Sequence, residues 1–429
     1  MNRLLRILIL PLLLLPGLYA QNNAYVINGL DETLSEIDLE TGRVTNHVVT
    51  LGSVPNQAFC HDELLYVVNS FSPSLMIIDP SSNIIVHEIF LPLNSNPWNV
   101  AVNGNRAYIT GLAASSVYVV DLTQHSIIST LQVGLSPEGV LATDDYLYVT
   151  NTSFNPIDFS YGQGTVSIID IQSGGELARP NVGVNPQYLA AGPDGAINVI
   201  CTGDYVSSTG MVYFINPQNL TVFDSLAIGG APGEVEINNT GIAFVAAGGW
   251  SDHGFIYSYN ALTRSVIHSA GNPILTDTGV MGIAFDSLGY LFCACQTANT
   301  VIKLTASGTF VNRYNVGSGP MSLAIIDSRT DIENDPAVPE KATLGLPYPN
   351  PFNSSVIIPI KGGAQAYDYV EVLDITGRLV QKLNLSAKCS INPDVTWRGD
   401  DFRGRDVASG IYLARYSGTS EVVKLVLLH

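Results

Sequence analysis

The stretch LYVVNSFSPSLMIIDP (Leu65–Pro80) reads as two short apolar strands joined by a turn of small residues. Nearly the same phrase precedes it as AYVINGLDETLSEIDL (residues 24–39) and follows it as AYITGLAASSVYVVDL (residues 107–122). It returns with longer turns as LYVTNTSFNPIDFSYGQGTVSIIDI (147–171) and INVICTGDYVSSTGMVYFINP (197–217). A repeat of this kind decides the architecture before any single motif does.

Each unit runs through an apolar strand ending in Asn or a small residue, a turn, a second strand ending in Asp or Asn, and a third strand ending near Gly. A Pro then leads into a further apolar run. The second-strand ends fall at Asp38, Asp79, Asp121, Asp170, Asn216 and Asn260, separated by 41, 42, 49, 46 and 44 residues, with a degenerate end near Leu304. Pro55, Pro97, Pro137, Pro186, Pro232 and Pro320 mark the other junction, which is degraded once, to TGVMGIAF at 278–285. Four short strands in about 40–45 residues is the dimension of one β-propeller blade, and the count predicts seven. The first unit begins at Ala24 with the second strand of a blade, whereas GPMSLAII (Gly319–Ile326) supplies an innermost strand with no outer strands after it. The two fragments complete each other, so one C-terminal strand is expected to join three N-terminal strands and fasten the ring.

The recurrent letters have structural explanations. Aromatic and β-branched positions pack sheet on sheet. The Asp or Asn closing the second strand is expected to accept backbone N–H groups of the following turn. Pro193–Gly195 and the pair Asn103, Gly104 read as hairpin turns.

AYVIN, LYVVN and LYVTN, each followed by an IID-like strand and then VG..P, resemble the YVTN family of seven-bladed propellers, which includes surface-layer repeats and lactonase-like relatives. The resemblance covers about residues 22–328 and implies the fold. Function on such a scaffold is set by the site.

Composition narrows the partners. The 429 residues are 46% hydrophobic and 13% charged, too apolar for a disordered chain. A formal net charge of -18 repels a phosphate backbone, which argues against nucleic acid. Arg3 and Arg6, the run ILILPLLLLP and GLYA at 17–20 read as a signal peptide cut after Ala20, and no later segment is long and apolar enough to span a bilayer. Cys60, Cys201, Cys293, Cys295 and Cys389 are odd in number, so they cannot all pair internally. They read as small buried hydrophobes, with one disulfide or a thiol metal site as the alternative. Cys293 and Cys295 alternate along one strand and face the same side.

Function is sought where the units differ. The turn that precedes the Asp- or Asn-ending strand, between the second and third strands of a blade, lengthens in three consecutive units, to TSFNPIDFSYGQG (152–164), GDYVSSTG (203–210) and GGWSDHG (248–254). These turns are expected on the face that carries the VG..P connections, forming one wall beside the central channel. That wall would display Phe154, Asp158, Phe159, Tyr161, Asp204, Tyr205, Trp250, Asp252 and His253, with Trp98 across the opening. Aromatic faces with scattered carboxylates suit a carbohydrate or a peptide. The alternative is that the rings pack on one another to hold the loops. No cofactor or metal is expected: the chain has seven His, no paired His, no Gly-x-Ser-x-Gly and no Ca-loop pattern. Binding of a glycan, a peptide or a surface-layer partner is therefore the leading expectation. A lactonase or lyase on the same face, or a purely structural surface tile, are the alternatives.

After Ile326 the periodicity stops. The polar, Pro-punctuated residues 329–343 read as a linker, and residues 344–429 as a small antiparallel β-sandwich of six or seven strands. YPNPFN (348–353), DITGRLV (374–380), the run Trp397–Tyr412 and the closing KLVLL resemble the C-terminal (Por) sorting domain of type IX secretion cargo, related to the FlgD-like immunoglobulin fold. The resemblance implies handling by the secretion machinery and delivery to the outer surface or medium, where the domain is cut off and the cargo attached or released. Trp397 should fill its core, and Gly399, Gly404 and Gly410 should serve turns. The tripeptide Arg398-Gly399-Asp400 is read as coincidence. The expected whole is all-β: a seven-bladed propeller (22–328) behind a signal peptide (1–20), then a linker and a sorting sandwich.

Overall fold

The computed structural model describes residues 22–327, 343–345, 347–361, 369–384, 394–416 and 422–428. The expected signal peptide, all but the last residue of the expected linker, and Cys389 lie outside them. Among the described residues every regular element is a strand. The chain divides into two compact units, Met1–Thr330 and Asp331–His429.

In the first unit the strands form seven antiparallel sheets that are four strands wide along their main path, and one two-stranded sheet, Phe154–Asn155 with Ser160–Tyr161. Sheets two to seven are consecutive meanders whose innermost strands are Pro55–His61, Pro97–Asn103, Pro137–Ala142, Pro186–Ala191, Val235–Ile237 and Val280–Phe285. Sheet one takes its outer three strands from Asn22–Asn28, Thr33–Asp38 and Val44–Thr50, and its innermost from Pro320–Asp327. Tyr25 pairs with Ala324 and Val26 with Leu323, the fastening anticipated from the two incomplete ends. The seven inner strands touch one another in cyclic order, the seventh meeting Pro320–Asp327 and that strand meeting Pro55–His61, so the ring closes. This is the arrangement of a β-propeller.

The periodicity of two explains the burial. Second and third strands, such as Leu64–Asn69 and Ser74–Asp79, are apolar on both faces because each sheet is covered by a neighbour on each side, whereas outermost strands such as Ile84–Phe90 are largely exposed. In sheet two, Leu65 and Val67 pack with Tyr25 and Ile27 of sheet one, while Tyr66 and Val68 pack with Val100 and Ile109 of sheet three. The last layer joins Phe292, Ala294 and Val301 of sheet seven to Ala24, Val26 and Leu323 of sheet one. Cys293 and Cys295 fall together in the layer against sheet six, as their alternation requires.

The Asp and Asn residues that end the third strands of the sheets act locally. Asp38 Oδ1 accepts the N–H groups of Glu40 and Thr41 at 2.9 and 3.0 Å, and Asp79, Asp121, Asp170, Asn216 and Asn260 repeat the device. At the degenerate seventh position, Thr305 Oγ1 accepts from Thr309 N instead.

A feature absent from the sequence reading recurs just after the junction prolines. In six sheets the pairing of the innermost strand slips at its start, leaving an extra residue opposite the second strand: Asn56, Trp98, Glu138, Gln187, Met281 and Met321. Sheet six has Gly233 at the matching place, two residues before its paired segment begins. A β-bulge re-aims the side chain it carries. Here it recurs around the ring on the face that bears the long turns.

The second unit contains a three-stranded sheet (Thr343–Leu344, Val356–Lys361, Asp394–Trp397) and a four-stranded sheet (Leu379–Asn384, Tyr369–Asp374, Gly410–Tyr416, Val422–Leu427). Trp397 is fully buried between them, against Phe352 and Tyr412 at ring distances of 5.6 and 4.9 Å. Gly399 and Gly404 take φ of 73°, a turn conformation only Gly adopts without strain. Gly410 differs from expectation, opening a strand rather than serving a turn.

Candidate functional site

The long turns share a face with the inter-sheet connections because the two are hydrogen-bonded: Ser153 N donates to Leu135 O at 3.1 Å, and Thr202 N to Asn185 O at 2.9 Å. The turn of sheet four folds into a small hairpin in which Phe154 pairs with Tyr161. Asn155 Oδ1 accepts Ile157 N, and Asp158 Oδ1 accepts both the amide and hydroxyl of Ser160, which hold its tip. The hairpin brings three rings together: Phe154 lies 5.2 Å from Tyr161 and 6.1 Å from Phe159. Tyr161 in turn meets Tyr205 of the next turn at 6.4 Å. Phe159 and Tyr205 remain 75% and 62% exposed, so the cluster packs internally and still presents faces to solvent.

The Asp204 carboxylate is engaged by its own turn. Oδ1 accepts the N–H groups of Val206, Ser207 and Ser208 at 3.0, 2.7 and 2.7 Å, and Oδ2 accepts the Ser207 hydroxyl at 2.6 Å. The Ser207 hydroxyl and then these amides hold its pKa far below the usual carboxylate range. Its carboxylate shapes the turn that presents Tyr205, and Asp158 serves its own hairpin in the same way.

Trp250, on sheet six, lies over glycine: a Cβ on Gly248 or on Gly279 would stand 3.2 and 3.1 Å from its indole. It is 58% exposed, and Asp252 and His253 beside it are also exposed. Trp98, carried on the bulge of sheet three, lines a depression of about 700 Å³ with Phe71, Leu93 and Ala113. None of the other sequence candidates borders that depression.

The residues that sequence reasoning missed lie beneath the wall. Glu138, the bulged residue of sheet four, is only 5% exposed, and its Oε2 has no hydrogen-bond partner. Its neighbour on sheet five is Gln187, whose Oε1 accepts the Thr202 hydroxyl at 2.8 Å and which also hydrogen-bonds Glu138. Burial pushes the Glu138 carboxyl up to about 8 against that bond. Burial first, and then the nearby Tyr205 hydroxyl and the Glu138 carboxyl, push Tyr161 up to about 12, while Asn185 opposes them. Tyr205 rises for the same two reasons, burial and Glu138, opposed by Asn185 and Gln187. The signal available in the sequence was a charged letter directly after a junction proline in one unit, PE at 137–138.

Deeper in the channel, a cavity of about 410 Å³ is bordered by Gln57, Glu234, Glu236 and Asp286, and one of about 280 Å³ by Asn99, Gly139, Tyr188 and the same two glutamates. Burial raises both acids, Glu234 to about 7, and for Glu236 the charge of Glu234 adds to burial. Among the described residues no three His, Cys, Asp or Glu side chains gather in a metal-holding arrangement. Cys60, Cys201, Cys293 and Cys295 are free thiols, and burial raises them all.

Comparison with known proteins bears on each unit separately. In fold, the chain is similar to a protein of unknown function from Desulfotomaculum acetoxidans, at 16% identity and a TM-score of 0.56, covering 72% of this chain and 100% of that one. A candidate 6-phosphogluconolactonase of Bacteroides uniformis aligns at 14% identity and 0.55, covering 71% and 100%. A streptogramin B lyase aligns at 12% and 0.51, covering 63% and 90%. At such identities the likeness is one of fold. No curated protein matches the chain in sequence. No helix among the described residues is long and apolar enough to cross a membrane. Residues 347–427 match the family of the secretion system C-terminal sorting domain, so the chain carries an all-β, propeller-like unit together with the sorting signal of an exported protein.

Proposed function

We propose that the exported chain is a binding protein of the cell surface or medium, which holds a glycan or an extended peptide on the propeller face bearing the long turns. One observation carries this reading: Phe154, Phe159, Tyr161 and Tyr205, from two sheets, form a continuous ring cluster that leaves Phe159 and Tyr205 mostly exposed. Exposed large rings are costly to leave in water and supply flat apolar area where they are held rigid. Asp158 and Asp204 fix the two turns, so little order remains to be imposed when a ligand docks. Asn185 and Gln187 beneath supply the few polar groups that orient a ligand. By resemblance to type IX cargo, the sorting domain hands the propeller to the secretion machinery.

The test is capture on glycan and peptide arrays by the full chain and by the variant carrying Tyr161→Ala and Trp250→Ala. Loss of capture with an unchanged melting temperature supports the reading. Capture that survives the double substitution contradicts it.

A further inference from the structure

The floor of the aromatic wall has two buried acceptor atoms that no hydrogen bond satisfies. Glu138 Oε2 and Asn185 Oδ1 are both buried and both lack hydrogen-bond partners, while Asn185 Nδ2 donates to Gly203 O at 3.2 Å. A buried acceptor without a donor is destabilising, and a carboxyl more so. Tyr161 and Tyr205 belong to the same surroundings: the Glu138 carboxyl raises both hydroxyls and the Asn185 side chain opposes it in both. A carboxyl, an amide oxygen and two aromatic rings 6.4 Å apart are complementary to a positively charged group that donates hydrogen bonds. A quaternary ammonium has the charge without the N–H groups, whereas a primary ammonium has both. The net charge of -18 also draws cations toward the molecule.

We propose that the ligand of this face carries a primary ammonium group, seated between Tyr161 and Tyr205 with its N–H groups on Glu138 Oε2 and Asn185 Oδ1. The inference rests on the binding reading above and names the chemistry of its ligand. An ammonium needs the ionised carboxyl, which burial disfavours in the empty site, so binding expels a proton from Glu138. The groups facing that carboxyl are the Tyr161, Tyr205 and Tyr188 hydroxyls and the Gln187 amide, with Glu234 acting on Tyr188 from sheet six. The three hydroxyls are held un-ionised by burial, which leaves Glu138 to titrate.

The experiment is calorimetric titration of the full chain with matched pairs of probes: chitosan tetramer against chitin tetramer, and Nα-acetyl-lysine methylamide against its Nε-acetylated form. The pairs distinguish a sugar from a peptide as the source of the amine. At least one amine is expected to bind about ten- to a hundredfold more tightly than its acetylated partner. For the lysine probe the preference should grow from pH 6 to pH 8 and release close to one proton, and for either amine it should vanish in Glu138→Gln. Equal affinity within both pairs, no binding of either amine, or a preference that survives Glu138→Gln would overturn the proposal. Capture of a neutral ligand lost on Tyr161→Ala would leave the binding reading standing without it.

Discussion

Gln57 and Glu234, 177 positions apart in the chain, are joined across the propeller channel by a 3.1 Å hydrogen bond from Gln57 Nε2 to Glu234 Oε1. The other oxygen of Glu234 accepts the Ile283 N–H at 2.9 Å, so one carboxyl ties sheets two, six and seven. The close approach depends on Gly282, where a Cβ would stand 2.6 Å from Met321 O and 3.2 Å from Glu234 Oε2. Glu234→Ala should therefore lower the unfolding free energy by about 1.5–3 kcal/mol, because a buried amide and a backbone N–H lose their acceptor. Glu234→Gln, which keeps an acceptor, should lose less. Denaturant unfolding of the two variants checks the order, and equal midpoints for wild type and Glu234→Ala would contradict it.

The channel acids set the pH dependence. Burial raises Glu138 and Glu234 from their ordinary 4.5 to about 8 and about 7, and raises Glu236 likewise. The folded chain thus holds more protons than the unfolded one above pH 4.5, and stability contributed by these groups is lost as pH rises through 7 to 8. Asp374 and Asp401 in the C-terminal unit are held near 2 by their turn hydrogen bonds, and what they contribute is lost only as pH falls toward that value. The ligand-free propeller transition should melt higher at pH 5.5 than at pH 8.5, by several degrees. The gap should narrow in the Glu138→Gln, Glu236→Gln variant. A melting temperature that rises from pH 5.5 to 8.5 would contradict this.

Ring closure rests on one strand. Leu323 pairs with Val26 and is buried in the layer between sheets seven and one. Leu323→Ala should cost about 2–5 kcal/mol, the usual range for a buried Leu. Ile325, on the same strand and only half-buried, should cost less on replacement by Ala. Unfolding midpoints of both variants measure the difference.

In the C-terminal unit, Trp397 is fully buried, and its Nε1 donates to Asp400 O at 2.9 Å. Trp397→Ala should cost about 3–5 kcal/mol and unfold the small sandwich. Because that unit carries the sorting signal, the variant should remain inside the outer membrane while the wild type is exported. Cell fractionation decides, and normal export of Trp397→Ala would separate sorting from the fold.

The ring was legible because each unit repeats its local chemistry: the Asp at the second-strand end that caps a turn, and the apolar pairs that cover both faces of a sheet. The incomplete ends at Ala24 and Ile326 even showed how it closes. The floor of the site was barely legible, because a bulge depends on how two strands pair, and its one mark was the charged Glu138 directly after Pro137. Otherwise Glu138 and Gln187 read as ordinary strand positions. Asp204 was read from its long turn as a displayed acceptor, and the serines at 207 and 208 hydrogen-bond its oxygens. That competition was readable in DYVSS.

The most direct test of the binding face is hydroxyl-radical footprinting of the full chain with and without a ligand captured on the arrays. Protection of Phe159, Tyr161 and Tyr205, with the exposed Phe90 and Phe310 of the outer strands unchanged, is the expected result. Protection confined to those outer strands, or to the C-terminal unit, would place the ligand elsewhere and contradict it.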